Sequence, residues 1–108
     1  MTEISDHIRQ TVDQNDVVMF MKGTPDFPQC GFSMRAVNIV RGLGVPFVSV
    51  NVLDDFEVRE GIKSFSDWPT IPQLYIDSSF VGGSDIMMQM YQSGDLTELV
   101  KKGEADAS

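Results

Sequence analysis

The chain has 108 residues, of which 42% are hydrophobic and 22% charged, values that indicate one soluble globular domain built around one core. Its formal net charge is −8 and it shows no basic stripe, which argues against binding to nucleic acid or to an anionic membrane surface. No apolar run approaches the roughly 18 residues that a membrane-spanning helix needs.

The cysteine content indicates a reducing environment. Cys30 is the one cysteine, so it cannot form a disulfide within the chain. The polar and acidic start, MTEISDHIRQ, lacks the apolar stretch of a signal peptide. Together these features predict a cytoplasmic location.

The first half of the chain alternates between helical and strand patterns. Ile4, Ile8 and Val12 recur every four residues, as on one face of an amphipathic helix that Thr2 caps. The continuous apolar run VVMFM is typical of a strand that is covered on both faces. These and the following patterns predict a helix over 2–14, a strand over 17–21, a loop over 22–29, a helix from 30 closed by the glycines at 42–44, and a strand over 47–52.

The second half adds a hairpin and three helices. Two short strand patterns flank a tight DSS turn, Ser84 is predicted to cap the next helix, and Gly94 to end it. The predicted elements are a helix over 54–65, strands over 72–76 and 79–82, and helices over 84–94 and 95–102. We therefore expect a single domain over 1–108, with its folded core at about 5–102 and a disordered tail at 103–108.

The order of these elements predicts an α/β fold. A parallel strand–helix–strand unit with an added hairpin gives a four-stranded mixed sheet flanked by helices on both faces, which is the thioredoxin-like plan. In such sheets ligands bind beyond the carboxyl ends of the strands. Cys30 follows the first strand and opens the next helix, so we expect it at that edge.

The position of Cys30 favours a reactive thiolate. Unpaired amides and the dipole at a helix N-terminus stabilise the charged form, and Lys22 could add a positive charge. A thiolate is both the nucleophile and the metal ligand of cysteine chemistry. Ser33 stands where a second thiol would complete a C-x-x-C pair, so this chain cannot close that disulfide.

Three separated motifs resemble those of the monothiol glutaredoxins of the CGFS class. They are CGFS after KGTPDFPQ, WPTIPQLYI at 68–76 and GGSDI at 82–86, and the similarity extends from about residue 5 to about residue 102. The resemblance implies a glutaredoxin fold, a catalytic or metal-binding Cys30, and a glutathione site.

The resemblance also implies which residues bind glutathione. Lys22 and Arg59 match the family's basic residues for the glycine carboxylate, and the backbone of Ile71 matches the group that pairs with the cysteinyl part. Pro72 matches the family's cis-proline. The remaining match, Ser84 and Asp85, corresponds to the pair that receives the γ-glutamyl end, and helix N-terminal amides suit such a carboxylate.

Two functions follow from one thiol. The first is a [2Fe–2S] cluster that two chains hold through Cys30 and two glutathione molecules, since such a cluster takes four thiolates. The resemblance implies that this homodimer delivers the cluster to apo iron–sulfur proteins, with a BolA-like protein as a further partner. The alternative is a glutathione-dependent oxidoreductase in which Cys30 removes glutathione from modified proteins.

Overall fold

The computed structural model of the chain describes residues 2–107, with side chains to residue 101. It confirms the α/β fold. In chain order the elements are α1 (Glu3–Gln14), β1 (Val17–Met21), α2 (Gly31–Gly42), β2 (Val48–Asn51), α3 (Phe56–Ser66), β3 (Gln73–Ile76), β4 (Ser79–Gly82), α4 (Ser84–Ser93) and α5 (Asp95–Ala107). Within this described part, none of the helices has both the length and the apolar character that crossing a membrane requires.

Strand β1 is central to the sheet. The strand order is β2-β1-β3-β4, with β1 parallel to β2 and antiparallel to β3. All five residues of β1 are buried, because alternate side chains enter two hydrophobic clusters on opposite faces of the sheet. The apolar run at 17–21 is therefore explained by cover on both faces, as the sequence predicted.

The parallel pair brings two loops together at one edge of the sheet. The Asn51 side-chain oxygen accepts hydrogen bonds from the backbone N–H groups of Gly23, at 2.9 Å, and Leu53, at 3.0 Å. The Val52 N–H also donates to the Met21 carbonyl at 2.9 Å. These bonds fix the edge at which α2 begins.

The boundaries differ from the sequence-based ones at several places. Strand β2 is confined to Val48–Asn51, and the hairpin turn places both Asp77 and Ser78 at positive φ. Helix α5 continues to Ala107 rather than ending at residue 102, since glutamate and alanine favour helix and Gly103 alone does not interrupt it. The disordered tail predicted for 103–108 stays a prediction, and Ser108 lies outside the described residues.

Tyr75 lies in an aromatic cluster on one face of the sheet. Its ring centroid is 5.7 Å from that of Phe20, 5.4 Å from Phe80 and 6.0 Å from Phe65. Only 2% of Tyr75 is exposed, and its hydroxyl donates to the Gln73 side-chain oxygen at 3.3 Å. Burial raises the pKa of Tyr75 to about 12, against smaller opposing effects of Ser66 and Arg9.

The raised pKa predicts a loss of stability in alkali. Above about pH 10 the unfolded chain releases the phenolic proton while the folded chain keeps it, so stability falls as pH rises towards 12. We expect this residue's contribution to the free energy of unfolding to fall by about 1.4 kcal/mol per pH unit in that window. Urea unfolding of the wild type and Tyr75→Phe across the window measures it; equal pH slopes would contradict the assignment.

Candidate functional site

Cys30 caps the N-terminus of α2. Its backbone is extended, and its sulfur accepts a hydrogen bond from the Ser33 N–H at 3.4 Å. The side chain is half-buried, so it is open to a reaction partner. The structure confirms the predicted position of the thiol at a helix start beyond the carboxyl end of β1.

Ser33 joins the thiol to the end of the central strand. Its oxygen, which is fully buried, accepts from the Lys22 N–H at 3.0 Å and lies 3.3 Å from the Cys30 sulfur. The thiol donates in this second bond while it is protonated. Once the thiol ionises, the hydroxyl hydrogen is free to donate to the sulfur. Ser33 therefore contributes chemistry that the sequence analysis did not assign to it.

The surroundings of Cys30 lower the pKa of its thiol. Partial burial raises that pKa, but hydrogen bonds from Ser33 and from the Phe32 backbone, together with the charge of Lys22, outweigh it. The thiolate is consequently more populated near neutral pH than that of a free cysteine.

A cavity of about 410 Å³, here called the thiol-side cavity, adjoins this helix start. It brings together all six residues that the sequence analysis assigned to glutathione. Cys30 is not itself a lining residue, but Phe32, two positions later, is. The lining residues are Lys22, Phe32, Arg59, Lys63, Trp68, Pro69, Thr70, Ile71, Pro72, Gly83, Ser84, Asp85 and Ile86.

Three basic residues line the thiol-side cavity. They are Lys22, Arg59 and Lys63, which is three of the chain's eight lysine and arginine residues. Lys63 pairs with Glu60 at 3.1 Å, whereas Lys22 and Arg59 form no ion pair within the described residues. The buried Nε of Arg59 also lacks a hydrogen-bond partner there. An anionic group is the natural complement of these donors.

The start of α4 also lines the cavity. Gly83 is its N-cap and provides no side-chain bond, so Ser84 is the first helical residue and the prediction that Ser84 caps the helix is wrong. The buried Ser84 follows the cap, and Asp85 exposes 82% of its side chain, 3.7 Å from Arg35. The first amides of a helix without a side-chain cap attract carboxylates.

Residues 68–72, here called the wall segment, also line the cavity. The Ile71–Pro72 peptide bond is cis, as the resemblance implied for Pro72. Within the described chain, no backbone–backbone hydrogen bond involves residues 69–72. The backbone of Ile71 is thus free to pair with a ligand.

Several lining residues were missed from the sequence. Lys63 lies four residues after Arg59, and this helical spacing alone would have placed both on one face of α3. Thr70 and Ile86 carry no comparable signal, because their positions depend on the fold.

Cys30 is the one thiol that the chain offers to a metal ion. Over the residues that the structure describes, no group of three or more His, Cys, Asp or Glu side chains is placed to hold a metal ion.

Comparison with known proteins gives one consistent family. The glutaredoxin family model matches residues 17–81. The mitochondrial monothiol glutaredoxin-5 of Lachancea kluyveri is 50% identical over 107 residues, covering 96% of this chain and 75% of that protein. A Synechocystis protein named monothiol glutaredoxin ycf64-like is 52% identical over 99 residues, 92% of each chain. The solution structure of reduced poplar apo GrxS14 superposes with a TM-score of 0.82 at 49% identity, over 94% of each chain.

The same comparison corrects the predicted cytoplasmic location. Relatives about half identical to this chain are named as mitochondrial or chloroplastic proteins. A single unpaired cysteine indicates a reducing environment but does not identify the compartment, so the prediction of a cytoplasmic location was wrong.

Removing the Ser33 hydroxyl should raise the pKa of the Cys30 thiol. Ser33→Ala deletes a hydrogen-bond donor to the thiolate, so we expect the pH midpoint of iodoacetamide alkylation to move upward and the rate at neutral pH to fall several-fold. Because Cys30 is the one cysteine, the alkylation rate reports this thiol alone. Ser93→Ala, which changes an exposed hydroxyl at the end of α4, is the control. An unmoved midpoint in Ser33→Ala would contradict the role given to this hydroxyl.

Proposed function

The chain belongs to the monothiol branch of the glutaredoxin family, and from this premise we propose that it binds glutathione in the thiol-side cavity and carries a [2Fe–2S] cluster as a pair of chains. The observation that carries the proposal is the position of a thiol with a lowered pKa beside a cavity that is lined by basic residues and by the start of a helix.

Glutathione has the charges that this cavity would complement. Its glycine carboxylate would lie against Lys22 and Arg59, whose Nε lacks a partner within the described residues. The cysteinyl backbone would pair with Ile71. At the other end, the γ-glutamyl carboxylate would accept from the α4 amides at Ser84 and Asp85, and the Asp85 carboxylate would hold the ammonium group.

The cluster is the cargo of this proposal. A [2Fe–2S] cluster usually takes four thiolates, and each chain offers only Cys30. Two chains and two glutathione thiolates complete the set. A ligand supplied by a small molecule exchanges readily, which suits delivery to apo iron–sulfur proteins, with a BolA-like protein as a further partner.

A second candidate function uses the same thiol as a nucleophile, and the lowered pKa of Cys30 favours it. The Cys30 thiolate would attack the glutathione sulfur of a glutathionylated protein, and the protein thiolate would leave and take up a proton. A free glutathione thiolate would then attack the Cys30–glutathione disulfide, releasing glutathione disulfide and restoring the Cys30 thiolate.

Anaerobic reconstitution separates the two functions. Purified protein and Cys30→Ser are each mixed with ferrous iron and a sulfide source, with and without glutathione. We expect a brown dimer, seen in the visible absorption and circular dichroism spectra and in the solution mass, only when Cys30 and glutathione are both present. A colourless monomer would refute the cluster proposal, and cleavage of a glutathionylated peptide by that monomer would favour the oxidoreductase.

Replacing Arg59 should weaken glutathione binding selectively. A charged hydrogen bond to a carboxylate contributes about 1.5–3 kcal/mol, so we expect Arg59→Gln to raise the dissociation constant by about tenfold or more. Arg41→Gln is the matched control, because Arg41 pairs with Asp26 and does not line the cavity. Titration of each variant with glutathione, followed by NMR, measures the constants; equal constants for the two variants would contradict the assigned role of Arg59.

A further inference from the structure

Gln73 is a fully buried amide at the start of β3. It is one of the few polar side chains within the core, alongside Ser33 and Ser84. Burying an amide is costly unless its donors and acceptor are all bonded. Gln73 meets this condition: its Nε2 donates to the Trp68 carbonyl at 3.0 Å and to the Thr70 carbonyl at 3.1 Å, and its Oε1 accepts from the Tyr75 hydroxyl at 3.3 Å.

Both carbonyls that Gln73 binds belong to the wall segment. Trp68 is anchored at its own N–H, which donates to the Lys63 carbonyl and to the Ser66 hydroxyl, each at 3.1 Å. Beyond that point, residues 69–72 take part in no backbone–backbone hydrogen bond within the described chain. The Trp68 carbonyl also accepts from the Ser66 hydroxyl, at 3.5 Å, whereas the bond from the Gln73 amide to Thr70 is the one hydrogen bond to residues 69–72 within the described chain. The Gln73 amide therefore connects the core to this stretch.

The position of the wall segment determines the width of the thiol-side cavity. A Cβ atom placed on Gly83, at the start of α4, would lie 3.3 Å from the Trp68 indole nitrogen and 3.5 Å from the Pro72 carbonyl oxygen. The wall segment thus comes close to α4 here. A small displacement of residues 68–72 would move Ile71 and Trp68 relative to α4 and change the space available to a ligand.

We propose that Gln73 is a positioning residue for the thiol-side cavity: its amide holds the wall segment so that the Ile71 backbone stays free and correctly placed for a bound tripeptide thiol. The consequence for binding rests on the proposed function, whereas the consequence for the wall segment does not. The sequence gives no hint of this role, because a glutamine in a strand pattern is typical of a solvent-facing position.

The first experiment measures the solvent exposure of Trp68 in the wall segment, with no ligand present. Trp68 is the one tryptophan of the chain and lies in the wall segment with 37% of its surface exposed, so its fluorescence reports on this stretch alone. Gln73→Met keeps the length and volume of the side chain but removes both donors. We expect its acrylamide quenching constant to be about twofold higher than that of the wild type.

Tyr75→Phe is the matched control. It also removes one buried hydrogen bond of Gln73, but it leaves both bonds to the wall segment in place. We expect its quenching constant to equal that of the wild type. Gln73→Asn keeps an amide one methylene short of the two carbonyls and should change quenching in the same direction by less, which provides a test if the methionine variant does not fold.

The second experiment is glutathione titration of the same proteins by NMR. We expect about a tenfold higher dissociation constant for Gln73→Met and no change for Tyr75→Phe. Unchanged Trp68 quenching in a folded Gln73→Met would overturn the positioning role, and so would raised quenching with unchanged affinity. A third outcome is that Gln73→Met raises Trp68 quenching while the wild type binds no glutathione. This would support the role of Gln73 in the wall segment and refute the proposed function.

Discussion

The site depends on strand β1 and on how it ends. Because both faces of β1 are covered, its pairing with β2 and β3 is fixed in register, since a slip of one residue would exchange the side chains of the two hydrophobic clusters. The strand therefore delivers Lys22 to a defined point at the edge of the sheet. There the Ser33 hydroxyl accepts from the Lys22 N–H and lies against the Cys30 sulfur, so the end of the strand and the start of α2 form one hydrogen-bonded unit.

The charges of the chain act on an anionic ligand differently at long range and within the cavity. At long range the net charge of −8 repels anions, glutathione included, since that tripeptide carries two carboxylates and one ammonium group. The thiol-side cavity itself is lined by three cations, Lys22, Arg59 and Lys63, against one carboxylate, Asp85. Lys22 and Arg59 form no ion pair within the described residues. Since salt screens exposed charges beyond roughly 8 Å, these local cations outweigh the distant acids for a ligand that enters the cavity. An acidic surface is thus compatible with an anion site.

The sequence predicted the parts of the fold that depend on local pattern. The four-residue recurrence of Ile4, Ile8 and Val12 gave α1, and the apolar run at 17–21 gave β1. The cis bond at Pro72 came from the family resemblance, since no local pattern distinguishes cis from trans. Ser84 was wrongly made the cap because serine is a common cap, whereas the neighbouring glycine holds that position. The amide of Gln73 was missed because its partners, Trp68 and Thr70, become its neighbours only when the wall segment folds back on β3.

Because Ser33 stands in place of a second cysteine, the reactions of the Cys30 thiol depend on a ligand from outside the chain. A cysteine at that position would stabilise the thiolate but could also close a disulfide with it, and the thiol would then be lost to outside partners. Serine provides the hydrogen bond at 3.3 Å without that reaction. A disulfide at Cys30 therefore needs a second sulfur from another molecule. The charges in the thiol-side cavity suit a small ligand that carries such a sulfur. In the proposed function glutathione is that second sulfur, which makes the pairing at Cys30 reversible and dependent on the supply of glutathione.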